Sequence, residues 1–466
     1  MKKVKDTIQI IEYERLYLQK REDNDKVVDK KTFESLESFI LENDTPFLVL
    51  KSYRRRKYIQ AQNYVGLIQT KSGITIEILP KITNLDKNTK ENQDESRKIL
   101  IKMIKTLKKP PFKNINKADL KNSKMPLFEV FIKMFLDELS ILFKLGIKSN
   151  YLQKQDNLKF LKGKLLVNQQ IKKNYIHKER FFTEFDEFSI NRVENRLIKT
   201  ALLFLLKKSN SNNNKKLIKR YLMIFDSVSA SYNVKNDFNK LKITRDMLHY
   251  ETIISWSEIF LLNESFSIYK GNNIAFALLF DMNKLFESYV GNFLRKECFK
   301  YNSSYKVNLQ DREYHLAYME NRPIFQLKPD IVIEISNETL NQVQSETKMI
   351  PRTINLIFEE FNKDYLETTF KSPNKDSVDL ILDTKWKIPR KSKTPPLGGW
   401  GAKISISDMY QLYAYGMKYE NCNRLYLIYP LTKKKLEYLE FNFNEKNQKE
   451  LKLKILFFDL KNDEIS

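Results

Sequence analysis

The chain has 466 residues, 42% of them hydrophobic and 12% aromatic, and a net charge of +24. That balance excludes a disordered polymer and leaves room for two to four folded domains. Two cysteines (Cys298, Cys422) and three scattered histidines (His177, His249, His315) exclude a disulfide framework and a His/Cys zinc site, so a bound metal would sit on oxygen ligands as Mg²⁺ or Mn²⁺.

Met1 to Thr7 leads into no apolar signal-like segment, and no apolar run approaches the roughly 18 residues of a membrane helix, so we expect a cytoplasmic chain without a membrane partner. Residues 1–85 read as a β-rich domain. Ile8–Tyr17, Phe47–Lys51, Tyr64–Thr70 and Ile74–Leu79 are strand-like, the last two flanking a Lys71-Ser72-Gly73 turn. Tyr53-Arg54-Arg55-Arg56-Lys57-Tyr58 suits phosphate or an acidic partner; an exposed charged strand end is the alternative.

Asp86 to Ser96 is polar and reads as a linker. The rest of 86–275 reads as a basic helical region. Lys98–Leu107, Phe128–Leu145 (with Gly146 as a cap), Asn195–Lys207 and Lys216–Val228 have helical apolar spacing, with a loop at Ser209 to Asn214 and an extended piece at Leu161–Val167. This region holds 37 basic against 20 acidic residues, a net +17, while 1–85 carries +4 and 276–466 carries +3. Such concentration is the footprint of a DNA-binding surface; a general lysine bias would spread more evenly.

From residue 276 the pattern becomes α/β. A helix over Phe276–Glu297 precedes strands at His315–Tyr318 and Leu327–Ile335. After an insertion (Ser336–Lys375, with Arg352–Phe361 helical) come a strand at Leu380–Lys387, a Pro/Gly loop from Pro395 to Gly401, and a helix over Asp408–Tyr419. Strands at Arg424–Tyr429 and Leu453–Phe458 complete the unit. The loop, with Gly398, Gly399, Trp400 and Gly401, suits a lid or a DNA-facing segment as well as a plain connector.

The chemistry concentrates in Pro329-Asp330 and Asp383-Thr384-Lys385. Alternate strand residues share a face, so Asp383 and Lys385 point the same way. With Asp330 they would hold a divalent cation and steer water toward a phosphodiester, with the Thr384 carbonyl as a further oxygen ligand. Glu287 on the preceding helix would reach the metal directly or through water. Lys385 would orient the water, help deprotonate it, or neutralise developing charge, and burial beside a metal would lower its pKa. Gln411 and Tyr415, four apart on a helix, share one face and would support the carboxylates, Lys385 or DNA. Asp379 follows the same alternation as Asp383 but is expected to be peripheral. No G-x-x-x-x-G-K-[ST] occurs, so a nucleotide-driven step would need a partner.

In this order (helix Glu, strand Asp, strand D-x-K, helix Q-x-x-x-Y) the residues resemble the PD-(D/E)xK nuclease superfamily. The chain also resembles the McrC family at Asn63-Tyr64-Val65-Gly66-Leu67-Ile68, Ile76 to Ile82, Leu161-Lys162-Gly163-Lys164-Leu165, Phe185 to Ser189 with Asn195-Arg196, Asp281 to Glu287, and Asp408 to Gln411. The resemblance implies an α/β multi-domain protein: a partner-binding β-rich N-terminal domain, a central helical region, and a C-terminal PD-(D/E)xK restriction-endonuclease-like domain. It also implies the nuclease subunit of an McrBC-like, possibly LlaJI-type, restriction system that partners an McrB-like AAA+ GTPase ring. Two alternatives stay open: a stand-alone restriction endonuclease, and a non-catalytic DNA-binding factor that activates the ring.

Overall fold

The computed structural model describes residues 7–22, 25–42, 46–70, 74–82, 90–107, 125–241, 243–262, 274–301, 305–336, 357, 377–387, 404–431, 440–443 and 451–465. The expected turn at Lys71–Gly73 and the Pro395–Gly401 loop lie outside them, as does the Arg352–Phe361 helix apart from Ile357.

The N-terminal elements are β1 (Thr7–Ile11), β2 (Arg15–Tyr17), β3 (Lys26–Val27), α1 (Lys30–Glu42), β4 (Leu48–Tyr53), β5 (Arg56–Ala61), β6 (Tyr64–Thr70) and β7 (Thr75–Leu79). They build one sheet ordered β3-β2-β5-β4 and most of a second, β1-β7-β6. Helix α1 adds to the expected strands, and its signal is in the sequence. Phe33, Leu36 and Phe39 recur at three-residue spacing and are buried, and Asp29 accepts the Thr32 N–H at 3.1 Å as an N-cap.

Next come α2 (Lys90–Ile104), α3 (Leu127–Leu145), β8 (Asn150–Leu158), β9 (Lys164–Leu165), α4 (Val167–Lys173), β10 (Phe181–Ser189), α5 (Val193–Lys208), α6 (Asn212–Ile224), α7 (Val234–Lys240), a 3₁₀ turn at Arg245–Tyr250 and α8 (Glu251–Leu262). Two expectations are corrected. Helix α2 begins at Lys90, inside the presumed linker, because Arg97 pairs with buried Glu77 of β7 at 2.9 Å and draws this polar turn onto the sheet. The region also contains a three-stranded sheet, β8-β10-β9. Gly146 does end α3, with φ +97°.

The segment Phe276–Glu297 is not one helix. Strand β11 (Ile274–Asp281) pairs antiparallel with β6, and α9 (Met282–Tyr301) follows without a gap. The continuous apolar run misleads because β11 is buried on both faces: Leu278 and Phe280 join the helical core, while Ala277 and Leu279 join the α1 side. Gly66 is required where β6 meets β11. Its φ is +135°, and a Cβ there would stand 2.0 Å from the Leu278 carbonyl oxygen.

The remaining elements are β12 (Lys306–Leu309), β13 (His315–Met319), β14 (Arg322–Gln326), β15 (Ile331–Ser336), β16 (Ser377–Thr384), α10 (Ile406–Lys418), β17 (Cys422–Pro430), β18 (Glu440–Asn442), β19 (Lys452–Asp459) and β20 (Glu464–Ile465). The sheet runs β12-β15-β16-β17-β19-β18, with β20 on β19, and β13-β14 form a separate hairpin. Strand β15 is antiparallel to β16, whereas β16, β17 and β19 are parallel. Alternation sorts the sheet's side chains. Leu380 and Leu382 face α9 and the helical core, while Ile381 faces α10. By the same alternation Asp383 and Lys385 turn toward α10.

Candidate active site

The site lies where β15 begins and β16 ends. Ile331 pairs with Leu382, and extending that register by one residue sets Asp330 opposite Asp383 on the same face. The 53 positions between these acids are thus spanned by one antiparallel strand pair. Asp330 Oδ2 accepts the Thr384 backbone N–H and its hydroxyl, both at 2.7 Å. The sequence suggests that Thr384 offers its carbonyl to a metal; the described contacts use its N–H and hydroxyl, which anchor Asp330.

Lys385 Nζ stands 2.5 Å from Asp383 Oδ2 and donates to Gln411 Oε1 at 3.2 Å. Gln411 Nε2 donates to Tyr415 Oη at 2.6 Å, and Tyr415 donates to the Lys328 carbonyl at 3.1 Å. The Q-x-x-x-Y pair therefore ties α10 to both arms of the site. Asp383 itself is 1% exposed. The Lys385 ammonium is the one cation set against Asp383 Oδ2 among the described contacts, and the buried Asp383 Oδ1 accepts no hydrogen bond from the described residues.

Glu287 comes from α9, across the sheet. Its Oε1 accepts Gln310 Nε2 at 2.7 Å, and the Gln310 N–H donates to the Asp330 carbonyl at 2.9 Å. Gln310 has φ +51°, a left-handed conformation that turns the chain from β12 toward both acids. Among the described residues no three Asp, Glu, His or Cys side chains are grouped closely enough to enclose a metal ion. Asp330 and Asp383 form the inner pair, and Glu287 is linked to them through Gln310.

The electrostatics reflect crowded negative charge. Burial first, then the Asp330 charge, push the Asp383 carboxyl up to about 7 against the pull of Lys385. Burial and Glu287 push Asp330 up to about 6, against the Thr384 hydrogen bonds. Burial and Asp383 also raise Glu287. Burial alone would lower Lys385, but Asp383, Asp330 and Asp408 outweigh it and hold the amine above the usual lysine range. With no metal charge to offset them, three carboxylates favour the ammonium form.

Sequence reasoning missed Gln310, whose role depends on a backbone angle without a residue signature. It also missed Asp408, which is 5% exposed, binds Lys387 at 3.0 Å and adds to the field on Asp383. Asp379 lies toward the opposite end of β16, as expected. In the basic N-terminal stretch, Arg54 and Arg55 take positive φ at the β4–β5 turn. Arg54 lies over the Tyr53 ring at 5.2 Å, Arg56 stacks on Tyr17 at 3.7 Å and pairs with Asp25 at 2.8 Å, and Lys57 pairs with Glu37 at 2.8 Å, so three of the four residues of that basic run have partners within the chain.

Fold and site together define a multi-domain α/β protein with two facing aspartates and a lysine at the end of an antiparallel strand pair. The family described as "McrBC 5-methylcytosine restriction system component" matches residues 59–349 and 359–430, and the chain belongs to that family. Its fold is similar to a chain in the half-complex from the tetradecameric assembly of Thermococcus gammatolerans McrB AAA+ hexamers with bound McrC, with TM-score 0.62 and 19% identity over 98% of this chain and 95% of that one. At this identity the likeness is one of fold. A chain of the cryo-EM McrBC complex from the same organism aligns at TM-score 0.45 and 21% identity over 63% of this chain and 88% of that one, and carries no weight here. No curated protein matches the chain. No helix among the described residues is long and apolar enough to cross a membrane.

Proposed function

We propose that this chain is the metal-dependent DNA endonuclease subunit of an McrBC-like restriction system, cleaving phosphodiester bonds in foreign DNA and stimulating a partner AAA+ GTPase ring. The observation that carries the reading is the meeting of Asp330, Asp383 and Lys385 on one sheet face, from positions far apart in the chain. The antiparallel β15–β16 pair followed by the parallel β16-α10-β17 crossover supports a PD-(D/E)xK restriction-endonuclease-like domain. The ring partner rests on membership of the family, on the Thermococcus structure, whose McrC is bound to McrB AAA+ hexamers, and on the missing P-loop.

The donor set fits a hard divalent cation. Asp383 keeps a buried Oδ1 without a hydrogen-bond donor among the described residues, and its charge and that of Asp330 oppose each other. Asp330 and Asp383 would hold Mg²⁺ or Mn²⁺, with Glu287 on its outer side. When bound, the ion would polarise the phosphate and activate water. Thr384 keeps Asp330 in place, while Gln411 and Asp383 aim the Lys385 ammonium. Held between Asp383 and Gln411, Lys385 would orient the water, help deprotonate it, or neutralise charge developing on the phosphate.

In this reading residues 1–85 face the partner, 86–275 supply the basic surface and 276–466 carry the nuclease, with β11 built into the first unit's sheet. The test is plasmid cleavage by the chain with its GTPase partner, GTP and Mg²⁺. Asp383→Ala should abolish cutting while GTPase stimulation persists. Undiminished cutting by that variant rejects the nuclease assignment, and cutting by the wild-type chain without partner or GTP supports the stand-alone reading.

A further inference from the structure

Glu12 follows β1 and is 1% exposed. Its two carboxylate oxygens accept the Trp386 Nε1–H at 3.1 and 3.0 Å, and one also accepts the Lys81 backbone N–H at 3.0 Å. Trp386 immediately follows Lys385, and its ring packs on Phe286 of α9 with centroids 5.3 Å apart. Phe286 in turn precedes Glu287. One indole therefore touches the N-terminal sheet, the end of β16 and the helix that carries the outer acid. Burying a carboxylate is costly unless hydrogen bonds compensate, and here they come from that indole and a backbone N–H.

The place matters because β16 ends at Thr384. Beyond it, Lys385 is held by its backbone N–H on the Ile428 carbonyl at 2.9 Å and by its side chain on Asp383 and Gln411. The next residue is fixed by Glu12, 374 positions away. We infer that Glu12 is a positioning residue for the nuclease centre: through the Trp386 indole it fixes the chain at Lys385 against the N-terminal sheet. Its effect on catalysis rests on the nuclease reading, whereas its hold on the strand end does not. The same bond would carry displacements of the N-terminal sheet, the part proposed to meet the ring, to the catalytic lysine.

The test uses the full chain with its GTPase partner and the variants Glu12→Ala, Glu12→Gln and Trp386→Phe. Two quantities are measured: amide hydrogen exchange over residues 380–387, and steady-state DNA cleavage resolved into kcat and KM. Glu12→Ala and Trp386→Phe should speed exchange at Lys385–Lys387 and lower kcat by about tenfold to a hundredfold with KM unchanged. Glu12→Gln keeps an acceptor for the indole and should restore both. Unchanged exchange and kcat in Glu12→Ala and Trp386→Phe overturn the inference. If Glu12→Ala fails to fold, Trp386→Phe decides alone, because a phenyl ring keeps the packing on Phe286. A wild-type chain that cuts no DNA, with exchange still responsive to Glu12, rejects the nuclease reading and leaves the structural hold standing.

Discussion

Asp330 accepts both the backbone N–H and the hydroxyl of Thr384 at 2.7 Å, so the acid that precedes β15 fixes the middle residue of Asp383-Thr384-Lys385. The two halves of the centre are one hydrogen-bonded unit. Asp383, by contrast, is met only by the Lys385 ammonium at Oδ2 among the described contacts, keeps Oδ1 without a donor, and shares its field with three other acids.

That asymmetry separates function from stability. Asp383→Asn should lower single-turnover cleavage at least about a hundredfold. In EDTA the same variant should be as stable as wild type, or more stable by roughly 1–2 kcal/mol, because an amide removes the repulsion with Asp330. Thermal melts in EDTA check this, and a clearly lower Tm for the variant would show that the ionised carboxylate supports the fold.

A pH prediction follows with a definite sign. Asp383 and Asp330 are raised to about 7 and about 6, from ordinary values near 3.8. Between these limits the folded chain binds more protons than the unfolded one, so stability falls as pH rises. In EDTA the melting temperature should drop from pH 5 to pH 7.5 and level off above. Glu12, pushed up to about 7 by burial, adds in the same direction. The contribution of the centre is isolated by comparison with Asp383→Asn, whose slope should be shallower; equal slopes would refute it.

Much of the centre was legible because alternation along a strand and spacing along a helix fix which side chains share a face. Asp383 with Lys385, and Gln411 with Tyr415, needed no more than that. The pairing of Asp330 with Asp383 is a register, and register across a long insertion is set by burial on both faces of the sheet, which no local pattern encodes. Strand β11 was hidden for a related reason: an apolar run buried on both sides has neither period. Gln310 and the Glu12–Trp386 bond were out of reach because they depend on a backbone angle and on two segments that meet only after folding.

Gln411 should matter through the direction of the Lys385 ammonium. Gln411→Ala removes the 3.2 Å acceptor and leaves Asp383 as the main hold. The lysine then settles on the carboxylate, and kcat should fall by about tenfold with KM for DNA unchanged. Tyr415→Phe keeps the ring but removes the hydroxyl between Gln411 and the Lys328 carbonyl, so its loss should be smaller and of the same kind. A rise in KM without a change in kcat would place both residues on DNA instead.

The concentration of charge in residues 86–275 makes a prediction about salt. With 37 basic and 20 acidic residues there, and only +4 and +3 net on either side, the attraction for phosphate should arise mainly from this stretch. Each phosphate it neutralises releases condensed counterions, so log affinity should fall linearly with log salt, at about −0.9 per neutralised phosphate on duplex DNA. Part of that charge is already committed: Lys148 pairs with Asp246 at 2.7 Å and Lys199 caps backbone carbonyls near Val228. Neutralising these should leave the slope alone. Neutralising exposed lysines such as Lys172 at the end of α4 and Lys178 beyond it should instead make it shallower, by about one for each phosphate left without its lysine. Fluorescence anisotropy between low and moderate salt measures the slope, and a flat response would remove the electrostatic role assigned to this region.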